Sequence, residues 1–335
     1  MAEFNRYTPD KQLKQRLAEK KYDDRTSLTS YPSHRENQGL SITRPTERPR
    51  EKGGSYMTWE DSLKLKYAKE IKFITEHGEP TDPEKAIPPG TRVVNLGEDH
   101  LQLAHKKEAG LFLGSLKDMG FTHFGIEMVD ADDQQLLETY LVTHEGREQL
   151  IENINKSFGY RDESGASYLD LIDTAYALGY SIRTIDLSIE EQKKIKAKNE
   201  LYDDRPWLEA RDKAMAKSVG DILDDDPHNQ VVTFVGSKHG SKKDAHFLLH
   251  KGKIQDSPPT MTQLLASDGI PVSSVRFVSG ERGDRGLSQA IYAAGRTDER
   301  FMFPDSNSAY DWNVHVPADE GIEQGRSAYI KKFIK

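Results

Sequence analysis

The sequence predicts an α/β protein with a mostly parallel central sheet flanked by helices, preceded by a polar leader and one helix. Three observations carry this. From Arg92 onward, short apolar runs alternate with longer helical stretches, the rhythm of strands joined by crossover helices. Runs such as Val93-Val94-Asn95-Leu96 and Val231-Val232-Thr233-Phe234-Val235 are apolar with little interruption, as strands covered on both faces are. Before them the composition differs: residues 1–55 mix Lys, Arg, Glu, Ser, Thr and Pro with little apolar periodicity, too polar to offset the entropy of ordering.

The chain therefore divides into a disordered leader (1–55), an N-terminal helix and Pro-rich connector (56–90), the α/β core (91–280), and a C-terminal cover or tail (281–335). The spacing predicts a helix over Thr58–His77, capped by Thr58, with Trp59, Leu63, Tyr67, Ile71 and Ile74 on one face and Gly78 as the stop. Strands are predicted at Arg92–Leu96, His123–Ile126, Ser181–Ile185, Val231–Val235 and Val272–Val278. Helices are predicted over Leu101–Met119, Asp132–Ile154, Tyr168–Leu178, Pro206–Leu223 and Thr260–Ala266. Residues 301–317 read as a hairpin or an irregular cover, and the last residues, Lys-Lys-Phe-Ile-Lys, as a frayed end.

Composition excludes several classes. With 335 residues, 35% hydrophobic against 30% charged, there is enough apolar material for one sizeable core. A net charge of -8 argues against a generic nucleic-acid partner. The absence of cysteine rules out disulfides, thiolate metal sites and cysteine nucleophiles. No apolar run reaches membrane-spanning length and no secretory signal is visible. The expectation is a soluble protein, either cytoplasmic or exported without a standard signal peptide.

In an open parallel sheet, ligands gather beyond the carboxyl ends of the strands, so the residues each strand releases there are informative. The run Arg92–Gly97 ends in Glu98-Asp99-His100, and His123–Ile126 ends in Glu127. Ser181–Ile185 ends in Asp186, and Val231–Gly236 in Ser237-Lys238-His239. Neighbouring carboxylates and imidazoles at one edge repel or lose solvation unless protons, cations or metals balance them. A shared site is the reading that accounts for them together.

Glu98 either activates water, binds a metal, or caps the following helix. His100, two residues on, points the same way if the chain stays extended. Glu127 is expected to be at least half buried, which requires a partner. His239 lies between Gly236 and Gly240, which permit close approach. His105 shares a helical face with Leu101, Ala104, Glu108 and Phe112, and is either a site group or a bonded core histidine. Asp186 is a supporting or capping group. Arg211, on the face of Met215, Val219 and Ile222, and its neighbour Asp212 either stabilise an oxyanion or form an internal ion pair. Ser237 lacks a nucleophile elbow. Gly280, Gly283 and Gly286 lack the Lys-Ser/Thr of a phosphate loop and read as a surface loop.

Gly97-Glu98-Asp99-His100 and Gly236-Ser237-Lys238-His239 form two GxxH motifs, one in each half of the core. Between them stand Glu127 in GIEM, then Gln134 and Gln135, and Arg211-Asp212 in RDKAMA. This order resembles the superfamily of erythromycin esterases, ChaN-like haem-binding proteins, TraB proteins and Tiki peptidases, which also contains bacterial toxin and effector domains. The pattern looks most like the ChaN-like branch and covers roughly 92–250, about half of the chain. It implies a Glu/His site, hydrolytic in several members and acting on peptide or ester bonds. Glu98, His100, Glu127 and His239 would form its centre, with Arg211 and Asp212 in support. The resemblance leaves three cofactor states open. One is a divalent metal (Zn, Mn or Fe) on His100, His239 and Glu98, another is haem, and the third is none. Two features depart from the ChaN-like pattern: no lipobox cysteine is present, and the polar leader resembles those of type III effectors. A toxin or effector whose partner is a host protein is thus a further expectation.

Overall fold

Thr58 opens the first helix through a capping box: its hydroxyl accepts from the Asp61 N–H at 3.0 Å while the Asp61 carboxylate accepts from the Thr58 N–H. The helix expected over Thr58–His77 is two, α1 (Trp59–Lys66) and α2 (Ala68–His77). Tyr67 separates them at φ -110° and ψ 25°, and its hydroxyl donates to Gln289 at 2.6 Å. Leu63 and Ile74 are buried, whereas Trp59 is exposed and stacks against Tyr292. A short strand β1 (Glu79–Pro80) and a single turn α3 (Pro83–Ala86) lead into the core.

The core runs β2 (Val93–Glu98), α4 (Leu103–Asp118), β3 (His123–Ile126), a 3-10 turn (Ala131–Asp133), α5 (Gln134–Thr143), α6 (Arg147–Phe158), α7 (Glu163–Ala177), β4 (Ser181–Thr184), α8 (Ile189–Lys198), α9 (Arg205–Asp225) and β5 (Val231–Gly236). A small antiparallel pair, β6 (Leu248–His250) and β7 (Lys253–Gln255), precedes α10 (Met261–Ser267), β8 (Val272–Val278), α11 (Arg285–Ala293), β9 (Phe301–Pro304) and β10 (Trp312–His315). The computed structural model describes residues 57–100, 102–158, 163–198, 205–243, 248–250, 253–255, 257–279 and 285–317. The leader, the glycine-spaced loop at 280–284 and the terminal Lys-Lys-Phe-Ile-Lys lie outside the described residues.

Eight strands form one sheet in the order β1-β9-β10-β8-β2-β5-β3-β4. The six from β10 to β4 are parallel, and β9 and β1 complete one edge in antiparallel pairing. Alternate residues of the central strands enter opposite layers. Val94, Leu96, Val232 and Phe234 pack with α4 to α7, while Val93, Val231 and Val235 pack with α9 and α10. Both faces of these strands are buried, so no polar phase appears in their sequence.

Two further expectations change. The helix expected over Asp132–Ile154 is interrupted by His144 at φ 61° and Gly146 at φ 82°. A β-carbon on Gly146 would meet Leu136 at 2.9 Å, so a glycine is needed where the chain reverses. The segment left open as hairpin or cover is the β9–β10 hairpin, and it extends the central sheet.

Candidate active site

β2 delivers Glu98 to the sheet edge on the α4 and α7 side, where its side chain is 0% exposed. A buried carboxylate needs several partners, and Glu98 has three. The Tyr168 hydroxyl of α7 donates to Oε1, the His100 Nδ1 lies 2.9 Å from the same oxygen, and the Lys106 ammonium donates to Oε2 at 3.0 Å. Lys106 also donates to the carbonyls of His100 and Gln102 and lies over the Tyr168 ring, shaping the loop that carries His100. Burial pushes the Glu98 carboxyl up, but Lys106 and His100 together hold it below its ordinary 4.5. The His100 ring, 28% exposed, turns its Nε2 toward Glu127 Oε1 at 3.9 Å.

The other half comes from β3, β5 and α9. Glu127, 1% exposed, accepts from the Arg211 guanidinium at 2.5 Å through Oε1 and from the Gly236 N–H at 2.5 Å through Oε2. Gly236 is where the chain needs no side chain: a β-carbon there would stand 2.7 Å from His100 Nε2. The turn after β5 closes with the His239 N–H donating to the Gly236 carbonyl at 2.9 Å, bringing His239 Nε2 to 3.6 Å from Glu127 Oε1. Asp212 holds the other ring nitrogen, Nδ1, at 2.8 Å and accepts from the Met261 N–H at the start of α10. Buried Asn95, Thr233 and Thr262 tie the same helix start to the sheet, and Thr262 donates to the His239 carbonyl.

The electrostatics follow from these contacts. Burial raises the Glu127 carboxyl, yet His239, Arg211, His100 and the Gly236 N–H more than offset this and bring it down from 4.5 to about 2. Both histidines lose by burial and gain more from their carboxylates. Glu98 and Glu127 hold His100 above 6.5, and Glu127 and Asp212 do the same for His239. Arg211 also receives Asp186, whose Oδ2 accepts from Nε at 2.8 Å. Burial leaves the Asp186 carboxyl above its ordinary 3.8 despite that guanidinium.

The structure thus brings together Glu98, His100, Glu127, His239, Arg211, Asp212 and Asp186. His105 is placed differently. Its Nδ1 accepts from the Asp99 N–H at 3.0 Å, which puts the proton on Nε2, facing Ser279 Oγ at 2.9 Å. In that tautomer His105 ties β2 to the end of β8 and cannot act as a base toward Ser279. Sequence reasoning missed Lys106, Tyr168 and Trp207. Trp207 stacks on Arg211, with its ring centre 4.9 Å away, and donates to Gln192. A cleft of about 550 Å³ opens over the cluster, lined among others by His100, His239, Trp207, Phe277 and Arg276.

The expected metal set of His100, His239 and Glu98 does not assemble as ligands. Glu98 gives its two oxygens to Lys106, Tyr168 and His100, and the Glu127 oxygen between the two Nε2 atoms is taken by a guanidinium. Among the described residues no group of three or more His, Asp or Glu could hold a metal ion. Among them, too, no helix is long and apolar enough to cross a membrane.

Fold and cluster define an α/β protein with a buried Glu/His cluster at the carboxyl edge of a parallel sheet. No family model and no curated protein matches the sequence. Solved structures similar to it include the type III effector HopBA1, at 16% identity over 68% of this chain and 88% of that one, with a TM-score of 0.41. Another is ChaN of Campylobacter jejuni, described with cofacial heme, at 15% identity over 67% of this chain and 87% of that one, TM-score 0.41. A third is the erythromycin esterase EreC in its open conformation, at 13% identity over 69% of this chain and 91% of that one, TM-score 0.47.

Proposed function

We propose that the chain is a hydrolase of peptide or ester bonds in which two carboxylate-backed imidazoles act on a substrate held in the cleft. One observation carries this reading: His100 Nε2 and His239 Nε2 converge on Glu127 Oε1 at 3.9 and 3.6 Å, each oriented from behind, by Glu98 and Asp212 respectively. Backing of this kind fixes which nitrogen faces the substrate.

Neither carboxylate is suited to take the proton from water. Both Glu98 oxygens are occupied, and Glu127, near 2, is too weak a base for neutral pH. His100 is the better base because its ring reaches the cleft. In the proposed reaction, neutral His100 accepts a proton from water as the water oxygen bonds to the carbonyl carbon. The carbonyl electron pair moves to its oxygen, where protonated His239 stabilises the negative charge. Collapse expels the alkoxide or amide nitrogen, which takes the proton from His100 and leaves a carboxylic acid.

The test is hydrolysis of a panel of acyl esters and peptides by the wild type, His100→Ala, His239→Ala and Glu98→Gln. Each variant should lose about 10²- to 10⁴-fold in kcat while keeping its fold; full activity in either histidine variant refutes the mechanism. Haem is the competing ligand, and a Soret band that vanishes in His100→Ala would favour it. Delivery into a host cell, with a host protein as substrate, is the setting suggested by the polar leader. Unchanged delivery after removal of residues 1–55 would count against it.

A further inference from the structure

Arg211 serves two carboxylates at once. Its Nη2 donates to Glu127 Oε1 and to Asp186 Oδ2, each at 2.5 Å, and its Nε donates to the same Asp186 oxygen at 2.8 Å. The two carboxylates are unequal partners. Burial leaves the Asp186 carboxyl above 3.8, whereas that of Glu127 lies at about 2. How the guanidinium divides between them therefore depends on what else steadies the Asp186 anion. The division matters because Glu127 Oε1 is the oxygen that both histidines face.

Two neutral groups steady it. The Leu187 N–H donates to Asp186 Oδ1 at 2.7 Å. The other is the carboxamide of Gln192, buried in α8. Its Nε2 donates to the Leu187 carbonyl at 3.0 Å and to Asp186 Oδ2 at 3.4 Å, and its Oε1 accepts from Trp207 Nε1 at 3.1 Å. Trp207 stands one helical turn before Arg211 on α9, and its ring centre lies 4.9 Å from the guanidinium carbon. The four residues thus close a circuit. Arg211 and Gln192 both donate to Asp186, Trp207 donates to Gln192, and the indole returns to the guanidinium. Lys196, one turn after Gln192, lies 3.7 Å over the same indole and ties it to α8 a second time. Only a carboxamide at position 192 can accept from Trp207 while donating to Asp186, and in a buried network each bond orients the next. Trp207 lines the cleft, whereas Gln192 is buried behind it.

We propose that Gln192 and Trp207 are positioning residues for Arg211: they hold Asp186 against the guanidinium and so fix the share of it that Glu127 keeps between the two histidines. The consequence for catalysis rests on the hydrolase reading, but the positioning itself is measured without substrate. The test is histidine NMR titration of the full chain as wild type, Gln192→Met, Trp207→Phe and the double variant. Methionine keeps the length of glutamine without its amide, and phenylalanine keeps a ring beside Arg211 without the indole N–H. His239 senses Glu127, Asp212 and Arg211, and Asp186 acts on it as well. Loss of the Gln192 amide weakens Asp186 as an anion and leaves the guanidinium charge less balanced, so His239 should titrate at lower pH. Trp207→Phe should shift it the same way and by less, and should add nothing in the Gln192→Met background, because both act through one carboxamide. An unchanged or raised His239 titration in Gln192→Met overturns the proposal, and so do shifts that simply add. If Gln192→Met fails to fold, Trp207→Phe decides, and a wild-type titration there counts against the circuit. In hydrolysis, Gln192→Met should lower kcat roughly tenfold at unchanged KM, the loss expected from one hydrogen bond. A shifted His239 in a protein that hydrolyses none of the esters or peptides sinks the hydrolase reading and leaves the positioning standing. Hydrolysis with an unshifted His239 does the reverse.

Discussion

Glu127→Gln isolates the central charge of the site with almost no change in shape. In the folded protein this carboxylate is 1% exposed, accepts from Arg211 and the Gly236 N–H, and faces both histidines within 4 Å. Its carboxyl is held at about 2 against an ordinary 4.5, and at 1.36 kcal/mol per pKa unit that difference is worth about 3 kcal/mol of stability at neutral pH. Removing one member of a buried ion pair costs about 3–5 kcal/mol; Asp186 still partners Arg211, so the lower end is expected. The assay is urea unfolding at pH 7 followed by circular dichroism. Because the folded value is depressed, the Glu127 contribution is present in full above 4.5 and lost as pH falls through about 2, so wild type and variant should converge across that window. Histidine NMR supplies an independent readout, in which His239 should titrate at lower pH without its carboxylate neighbour. A loss below about 1 kcal/mol together with an unchanged His239 titration would refute the account.

Other expectations follow from the same contacts. Gly236→Ala places a β-carbon 2.7 Å from His100 Nε2, so hydrolysis should fall sharply while thermal unfolding shifts little; wild-type rates would show that the His100 position is not critical. Lys106→Met strips the buried Glu98 of its ammonium, and chemical denaturation should show a loss of about 3–5 kcal/mol. Asp212→Asn should lower kcat far more than it alters KM, because it frees the His239 ring from its tautomer without touching substrate. If neutral His100 is the base and protonated His239 holds the oxyanion, kcat should rise with pH above 6.5, the ordinary value His100 exceeds in the fold, and fall again as His239 loses its proton. The stability that both histidines contribute runs the other way, complete below 6.5 and lost as pH climbs through their folded values.

The sheet was legible because strands buried on both faces write continuous apolar runs, and the ends of such runs are where site residues emerge. Glu98, Glu127, Asp186 and His239 could all be found in that way. The parts that were not legible depend on contacts between distant segments. Lys106 sits in His-Lys-Lys-Glu, which reads as a solvated helix face, and only the fold turns it onto Glu98. Tyr168 reaches the same carboxylate from 70 positions away along the chain. His105 had two readings from its helical face, and the choice rested on the Asp99 amide and on Ser279, 174 positions distant. The break at His144 had a local signal in Gly146, which the continuous periodicity around it concealed.

The position of β5 bears on how the chain reaches this structure. It pairs with β2 on one side and β3 on the other, yet it is synthesised after both, behind the five helices α5 to α9 and β4. Until Val231–Gly236 leaves the ribosome, β2 and β3 have no bridge, and the centre of the sheet cannot close. His239 follows within three residues, so completing the core and completing the His–Glu–His cluster are nearly one event in synthesis. Fragments that stop before β5 should remain open and inert, and long-range pairing of this kind should make folding slow.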